Sequence, residues 1–147
     1  MQLLETIQVA QPVDTVWKFM SDPLSQLKWD RSVAKVDLTS SLPVGVGYTF
    51  TTIGPVKDKR PGLRSDYEIT EFIPGRHATI SLINSRTFKR GDWSFDVEQT
   101  PENSTKITCS ITFIPWPRYW FVGLVLRFNA RAIRRDLHYL QEALQEL

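Results

Sequence analysis

The chain ends in YWFVGLVLRFNARAIRRDLHYLQEALQEL, residues 119–147, and this stretch decides the fold. At about 100° per residue it predicts one long helix with an apolar stripe along its length. The stripe comprises Val122, Leu126, Ala130, Ile133, Leu137, Leu140, Leu144 and Leu147. The arginines lie on the opposite side, which four apolar residues of the first half share: Trp120, Phe121, Leu124 and Phe128. We therefore expect a helix that packs against a sheet and has a second apolar surface at its N-terminal end.

Upstream of this helix, the sequence alternates with the period of two that is typical of half-buried antiparallel strands. Leu3–Val9 predicts a first strand, and Pro12–Trp29 predicts two short helices separated by a Ser-Asp-Pro turn. A change of parity between Phe88 and Trp93 predicts a β-bulge near Lys89–Gly91. Six further strands are predicted at Val33–Leu38, Gly47–Ile53, Leu63–Phe72, His77–Asn84, Arg86–Val97 and Lys106–Ile114.

These elements predict an α+β architecture in which a seven-stranded antiparallel sheet curls around the closing helix. A sheet with one dry face must bury that face against another element, and only the C-terminal helix is long enough. The chain shows no repeat, linker or low-complexity tract, so residues 1–147 are expected to form one domain. A curved sheet and a straight helix leave space between them, which predicts a ligand cavity there.

The composition is that of an ordinary globular protein, with 41% hydrophobic and 23% charged residues and a net charge of +2. A single cysteine cannot form an internal disulfide, and the longest apolar run is shorter than the roughly 20 residues of a membrane-spanning helix. The N-terminal residues lack the basic and apolar regions of a signal peptide. We expect a soluble cytoplasmic protein. Its basic clusters come without a stacking motif or a recognition helix, so no nucleic-acid partner is expected.

Metal and cofactor chemistry find no support in the sequence. The residues that most often bind metals, His77, His138 and Cys109, are far apart and no pair has ligand spacing. Cys109 has an inward parity and is expected to act as a small buried hydrophobic residue. No metal and no cofactor are therefore expected.

An ordered set of residues along the chain resembles a known family. The set comprises Ile7, Pro12, Val16-Trp17, Asp22, Trp29, Val33, Gly45-Val-Gly47, Tyr67–Arg76, Trp93-Ser-Phe95, Thr105 and Thr108. In this order and spacing it is similar to the polyketide cyclase/dehydrase and lipid-transport family of the START-like, helix-grip superfamily. The resemblance implies a helix-grip fold and either carriage of a hydrophobic ligand or aromatase/cyclase-type activity. The segment Pro115–Phe121 departs from the pattern because it is bulkier and more aromatic.

The predicted cavity has an aromatic wall and a few polar groups. Tyr67 and Asn84 have the inward parity and are predicted to orient a ligand. The apolar ligand-binding residues are predicted to be Trp29, Tyr48, Phe50, Trp93, Phe95, Phe113 and Phe128. Binding or carriage of a small hydrophobic, lipid- or polyketide-like ligand is the preferred function, since burial of apolar surface supplies the affinity.

The alternative function is an aromatase/cyclase- or dehydratase-type enzyme, which needs an acid or base in the cavity. The candidates are Glu5, Tyr67 and His77. Glu5 shares the inward parity of Ile7, so it faces the cavity mouth as a polar contact or acid, or reaches water near a strand end. His77 follows a Pro-Gly-Arg turn, where it is a general base or simply a residue at the end of a strand.

The aromatic segment before the closing helix suggests a contact surface. Trp116, Trp120, Phe121 and Leu124 lie beside arginines, a pattern that is typical of a membrane interface or an acidic partner. We expect a peripheral membrane contact, a homodimer contact or a lid. The other interpretation is that the loop at Thr51–Arg60 covers these side chains.

Overall fold

The structure is a computed structural model that describes residues 2–128 and 130–147, without the side chain of Phe128. Its strands form one antiparallel sheet in the order β1-β7-β6-β5-β4-β3-β2, so the first strand pairs with the last. All seven predicted strands are confirmed, with ends that shift by a few residues. The strands are β1 (Gln2–Val9), β2 (Lys35–Leu38), β3 (Thr49–Ile53), β4 (Arg64–Ile73), β5 (His77–Ile83), β6 (Phe88–Thr100) and β7 (Ser104–Pro115).

Two register shifts interrupt the sheet. One lies between Phe88 and Arg90 and confirms the predicted bulge at the start of β6. The other lies between Ile69 and Glu71 on β4 and has no signal in the alternation of the sequence. Bulges increase the local twist and bend a strand, so both contribute to the curvature of the sheet.

The two predicted short helices follow β1. Helix α1 (Val13–Met20) begins after Pro12, whose missing N–H costs nothing at a helix start. The carboxylate of Asp22 accepts a hydrogen bond from the backbone N–H of Leu24 and caps a 3₁₀ turn that leads into helix α2 (Gln26–Trp29).

The closing stretch contains helix α3 (Trp120–Phe128) and helix α4 (Ala130–Gln145). The sequence predicts one continuous helix here. Asn129, between the ranges of α3 and α4, lies outside the described residues. Helix α4 packs against β1 and α2 and buries Leu137, Leu140 and Leu144, as its apolar stripe predicts. None of the described helices is long and apolar enough to cross a membrane.

The main core lies between α4, α1 and the inward face of the central strands. Phe95 lies opposite Cys109, and Val97 opposite Ile107, and all four side chains are buried. A second cluster, formed by Tyr48, Phe50 and Ile69, fills the far end of the sheet. Between the two clusters, the sheet and the helices leave a cavity.

Candidate functional site

The cavity lies between the inward face of the sheet, α2 and α4, and has a volume of about 190 Å³. A smaller space of about 30 Å³ adjoins it and shares the side chains of Gln26, Trp29 and Trp93. Six of the predicted ligand-binding residues line one or both spaces: Trp29, Phe50, Tyr67, Trp93, Phe95 and Phe113. The inward parity of the strands thus brings together aromatic side chains from α2 and from four different strands.

Two aromatic pairs give the walls their shape. The rings of Trp29 and Trp93 meet edge to face with centroids 5.2 Å apart, and those of Phe50 and Tyr67 stack at 5.4 Å. Both geometries are favourable for aromatic rings and limit their movement. Helix α2 therefore closes the cavity through Trp29, whose partner Trp93 lies on the sheet.

Gly91 keeps part of the sheet wall open. It lies opposite Phe113 in the ladder and lines the cavity. A Cβ added at Gly91 would come within 3.2 Å of the Leu82 side chain and 3.3 Å of the Phe113 ring. Any larger residue would push these side chains aside or fill the cavity.

The phenol of Tyr67 is the main polar group of the inward face. Burial raises its pKa above the usual value, and the negative charge of Asp30 adds to this effect. Hydrogen bonds with Ser65 and Thr52 lower the pKa but do not offset the burial. The hydroxyl is therefore protonated at neutral pH, and it acts as a hydrogen-bond donor or acceptor and not as a base.

Two polar atoms on the shared wall, Oε1 of Gln26 and Nε1 of Trp93, are buried without a strong hydrogen-bond partner among the described residues. The thiol of Cys109 lies beside the Trp93 indole and is a weak hydrogen-bond acceptor. Burial raises the pKa of this thiol to about 11. Such a thiol is inert at neutral pH, as the sequence predicts. Buried polar groups are normally satisfied by protein or ordered water, so two such atoms on one wall are unusual.

Two carboxylates line the cavity, Asp30 and Asp136, and both are partly buried. Partial burial raises the pKa of Asp136 first, and repulsion by Asp30 raises it further, against the opposing charges of Arg135 and Arg31. Asp30 itself accepts hydrogen bonds from the backbone N–H and the hydroxyl of Ser32, at 2.9 and 2.5 Å.

Four residues of the cavity are not predicted from the sequence, and they are Gln26, Asp30, Ser32 and Asp136. For Asp136 a signal was present, because it lies at the edge of the apolar stripe, three residues after Ile133 and four before Leu140. The residues of the turn after α2 have no comparable periodicity. Only the packing of α2 against α4 brings them to the cavity.

Four of the predicted site residues whose side chains the structure describes do not line the two spaces, and they are Glu5, Tyr48, His77 and Asn84. Tyr48 is 5% exposed and packs in the second core cluster. Asn84 was expected to face inward by its parity, but β5 ends at Ile83 and Asn84 occupies an exposed turn with φ of 56°. The side chain of Phe128 lies outside what the structure describes.

Glu5 points inward, as its parity predicts, but its carboxylate pairs with an arginine of α4 and does not line the cavity. Its Oε1 accepts a hydrogen bond of 2.5 Å from Nε of Arg134 on α4, and the two side chains are 30% and 55% exposed. This ion pair ties β1 to the closing helix at a partly exposed position. Helical periodicity predicts Arg134 on the side opposite the apolar stripe, but its side chain reaches Glu5 on β1.

His77 lies on the outer face of the sheet, at the start of β5. Its Nδ1 is 2.7 Å from a carboxylate oxygen of Asp96, and its Nε2 is 3.4 Å from one of Glu71. Burial lowers the pKa of His77, but the two acidic partners outweigh it and raise the pKa above its usual value. The structure thus supports the interpretation of His77 as a residue at the end of a strand.

Comparisons with known proteins place these features in a wider group. The family model described as polyketide cyclase/dehydrase and lipid transport matches residues 2–145. No curated protein matches the chain. Among solved structures, Ara h 8.0201 has a TM-score of 0.76 at 11% identity and covers 100% of this chain and 99% of its own.

Two further solved structures show the same fold at low identity. A START superfamily protein from Mycobacterium smegmatis has a TM-score of 0.69 at 12% identity and covers 99% of this chain and 94% of its own. BexL, the di-domain ARO/CYC of the BE-7585A biosynthetic pathway, has a TM-score of 0.75 at 11% identity, with 99% of this chain and 46% of that chain covered. At these identities the likeness concerns the fold alone. Because the family model spans nearly the whole chain, this protein belongs to the polyketide cyclase/dehydrase and lipid transport family and has a START-like, helix-grip fold.

Proposed function

We propose that the protein binds and carries a small, largely apolar molecule that bears a polar group, in the cavity between the sheet and α4. The observation that supports this most directly is the aromatic cavity of about 190 Å³. In this proposal the chain acts as one binding domain in the cytoplasm, as its composition and single cysteine predict.

The size of the cavity favours a small ligand. Sites for drug-sized ligands commonly measure roughly 300–1,000 Å³, so this cavity suits a molecule of one or two rings. Burial of about 200 Å² of apolar ligand surface would contribute on the order of 5 kcal/mol before the entropic costs of association. That contribution corresponds to modest affinity unless polar contacts add to it.

The polar atoms supply the means to orient the ligand. Gln26 and Tyr67 line the cavity with an amide and a hydroxyl, groups that both donate and accept hydrogen bonds, so a ligand hydroxyl has polar partners there. A phenol or a hydroxylated polyketide-like ring has the required combination of flat apolar surface and hydroxyl group.

A titration with 2-naphthol, followed by tryptophan fluorescence, tests this proposal. Trp29 and Trp93 line the cavity, so bound naphthol should quench their emission. Ile133→Phe places extra side-chain volume in the cavity and should weaken binding by about tenfold or more. Ile73→Phe is the matched control, because Ile73 is 52% exposed at the end of β4 and does not line the cavity. Equal binding by both variants would contradict the proposal.

Native mass spectrometry of protein purified from its own cells provides the second test. A carrier should retain an adduct that disappears in Ile133→Phe and persists in Ile73→Phe. The mass of the adduct would then identify the chemical class of the ligand.

A second candidate function is acid–base catalysis of cyclisation or dehydration on a polyketide-like substrate. The observation that favours it is that Asp30, Asp136 and the Tyr67 phenol border one aromatic cavity. A carboxyl group with a raised pKa acts as a proton donor close to neutral pH more readily than an ordinary one. In this candidate Asp136 would transfer the proton and Tyr67 would hold a carbonyl oxygen.

The catalytic candidate is tested by the conversion of a poly-β-ketone thioester, followed by mass spectrometry. Asp136→Asn and Tyr67→Phe should each slow the conversion by about a hundredfold. Glu5→Gln is the control, because Glu5 pairs with Arg134 outside the cavity and its removal should leave the rate unchanged. Wild-type protein that leaves the thioester unconverted would refute this candidate, while naphthol binding would still support the carrier.

A further inference from the structure

Helix α3 exposes much of the apolar surface that the structure describes. Five side chains form what we call the aromatic patch, with exposed fractions between 39% and 67%: Trp116, Trp120, Phe121, Leu124 and Val125. The opposite side of α3, with Val122, Gly123 and Leu126, is less exposed and faces the end of β7. A helix that is apolar on both sides normally has a neighbour on both sides, and among the described residues α3 has a neighbouring strand on one side.

The turn before β6 holds Trp116 in place without covering the aromatic patch. The backbone N–H of Trp116 donates to the carbonyl of Thr87 at 3.0 Å, and its indole Nε1 donates to the carbonyl of Ser85 at 3.3 Å. None of the five side chains lines the two cavity spaces, so the patch is not a lid in this structure. Their exposure also excludes the loop at residues 51–60 as a cover.

The charges around the aromatic patch are positive. Arg118 and Arg127 are exposed in the segment that carries it, and Arg131 is exposed at the start of α4. None of the three forms an ion pair with a residue that the structure describes. The turn that holds Trp116 adds Arg86 and Lys89, both exposed. From Asn103 to Arg135 the sequence contains no aspartate or glutamate. The patch is therefore an apolar centre with a basic margin.

We propose that the aromatic patch docks on the surface of an anionic lipid bilayer. Tryptophan side chains bind at the level of lipid headgroups, where the ring is apolar and the indole N–H meets water. Leu124 and Val125 insert below that level, and the three arginines bind lipid phosphates. The protein attaches peripherally through α3 and does not span the bilayer.

The charge distribution favours a bilayer over a second copy of the chain. A two-fold dimer through the aromatic patch would bring the same surface of both copies together. Arg118, Arg127 and Arg131 of one copy would then face a margin of equal charge, with no acidic residue of the same stretch to neutralise them. An anionic bilayer offers negative charge around an apolar interior, which matches both parts of the patch.

Flotation with lipid vesicles tests this inference. The wild-type protein should float with vesicles of phosphatidylcholine and phosphatidylglycerol, and much less with pure phosphatidylcholine. Trp120→Ser combined with Phe121→Ser should weaken binding by at least about tenfold. Arg118→Gln combined with Arg127→Gln should weaken it by about fivefold for each arginine removed. Salt at about 1 M should reduce wild-type binding, because it shortens the Debye length to about 3 Å.

The matched control removes two apolar side chains from another part of the surface. Val56 and Leu63 are 72% and 80% exposed in the loop between β3 and β4, and Val56→Ser with Leu63→Ser should bind vesicles like the wild type. Far-ultraviolet circular dichroism should show that every variant is folded. Wild-type protein that fails to float, or floats as well after the aromatic changes, would overturn the inference. Absence of flotation together with a sedimentation dimer that the same changes dissociate would assign the patch to a homodimer instead.

Discussion

Replacement of Leu140 by alanine tests whether the sheet grips the closing helix as the structure describes. Leu140 is fully buried on α4, whereas Leu124 on α3 is 47% exposed in the aromatic patch. The same substitution at the two positions therefore separates the two surfaces of the C-terminal stretch. Both leucines lie in helices, so the intrinsic helix propensities change equally.

The expected magnitudes differ several-fold. Leu140→Ala removes buried methyl groups and leaves a cavity, which lowers the free energy of unfolding by about 3–4 kcal/mol. Leu124 is only half removed from water, and alanine is the better helix former, so Leu124→Ala should cost under about 1 kcal/mol. For a chain of this length, the larger loss lowers the melting temperature by roughly 10 °C.

Urea unfolding followed by circular dichroism provides the assay. The midpoint should shift strongly for Leu140→Ala and little for Leu124→Ala, with the same slope for both variants. A cost below about 1 kcal/mol at Leu140 would mean that α4 is not held as described. Equal costs at both positions would mean that the aromatic patch is covered in the free protein, which would also remove the basis for membrane docking.

Three further predictions concern residues outside the cavity. The raised pKa of His77 makes its ion pairs stabilising below about pH 6.5, and this stability is lost as the pH rises through the raised value. Thermal melts of His77→Gln should therefore lose the wild-type decline between weakly acidic and weakly alkaline pH, and an unchanged decline would contradict the assignment. A Cβ at Gly62 would overlap the backbone carbonyl of Gly54, so Gly62→Ala should destabilise the protein by more than about 1 kcal/mol in urea melts, while Gly45→Ala, with open space around it, should not. Thr105 is fully buried and donates a hydrogen bond of 2.7 Å to the backbone before α1, so Thr105→Val should cost about 1–2 kcal/mol, and a neutral effect would show that the carbonyl finds another donor.

The alternation of the strands predicted the walls of the cavity well. Phe50, Trp93 and Phe113 were placed on the inward face from their parity alone, and each of them lines the cavity. Parity is reliable inside a strand because successive side chains point to opposite faces. It failed at Asn84, where the strand had already ended and the backbone adopts a left-handed conformation.

The polar half of the site could not be predicted in the same way. Asp30 and Asp136 are distant in sequence, and they line one cavity only because α2 packs against α4. For Glu5 the predicted inward direction is correct, but the side chain pairs with Arg134 of α4 and does not line the cavity. Contacts between side chains more than 100 residues apart depend on how whole elements pack. The alternation within one strand does not predict such contacts.

The sequence by itself determined the order of the elements, the two faces of the sheet, the bulge at the start of β6 and the apolar stripe of the closing helix. These features follow from the periods of two and 3.6 residues, which depend only on local backbone geometry. Only the tertiary structure decided which carboxylates line the cavity, which polar atoms there lack a partner and that α3 exposes Trp120 and Phe121. Those properties depend on the distances between elements and on what remains uncovered when the elements have packed.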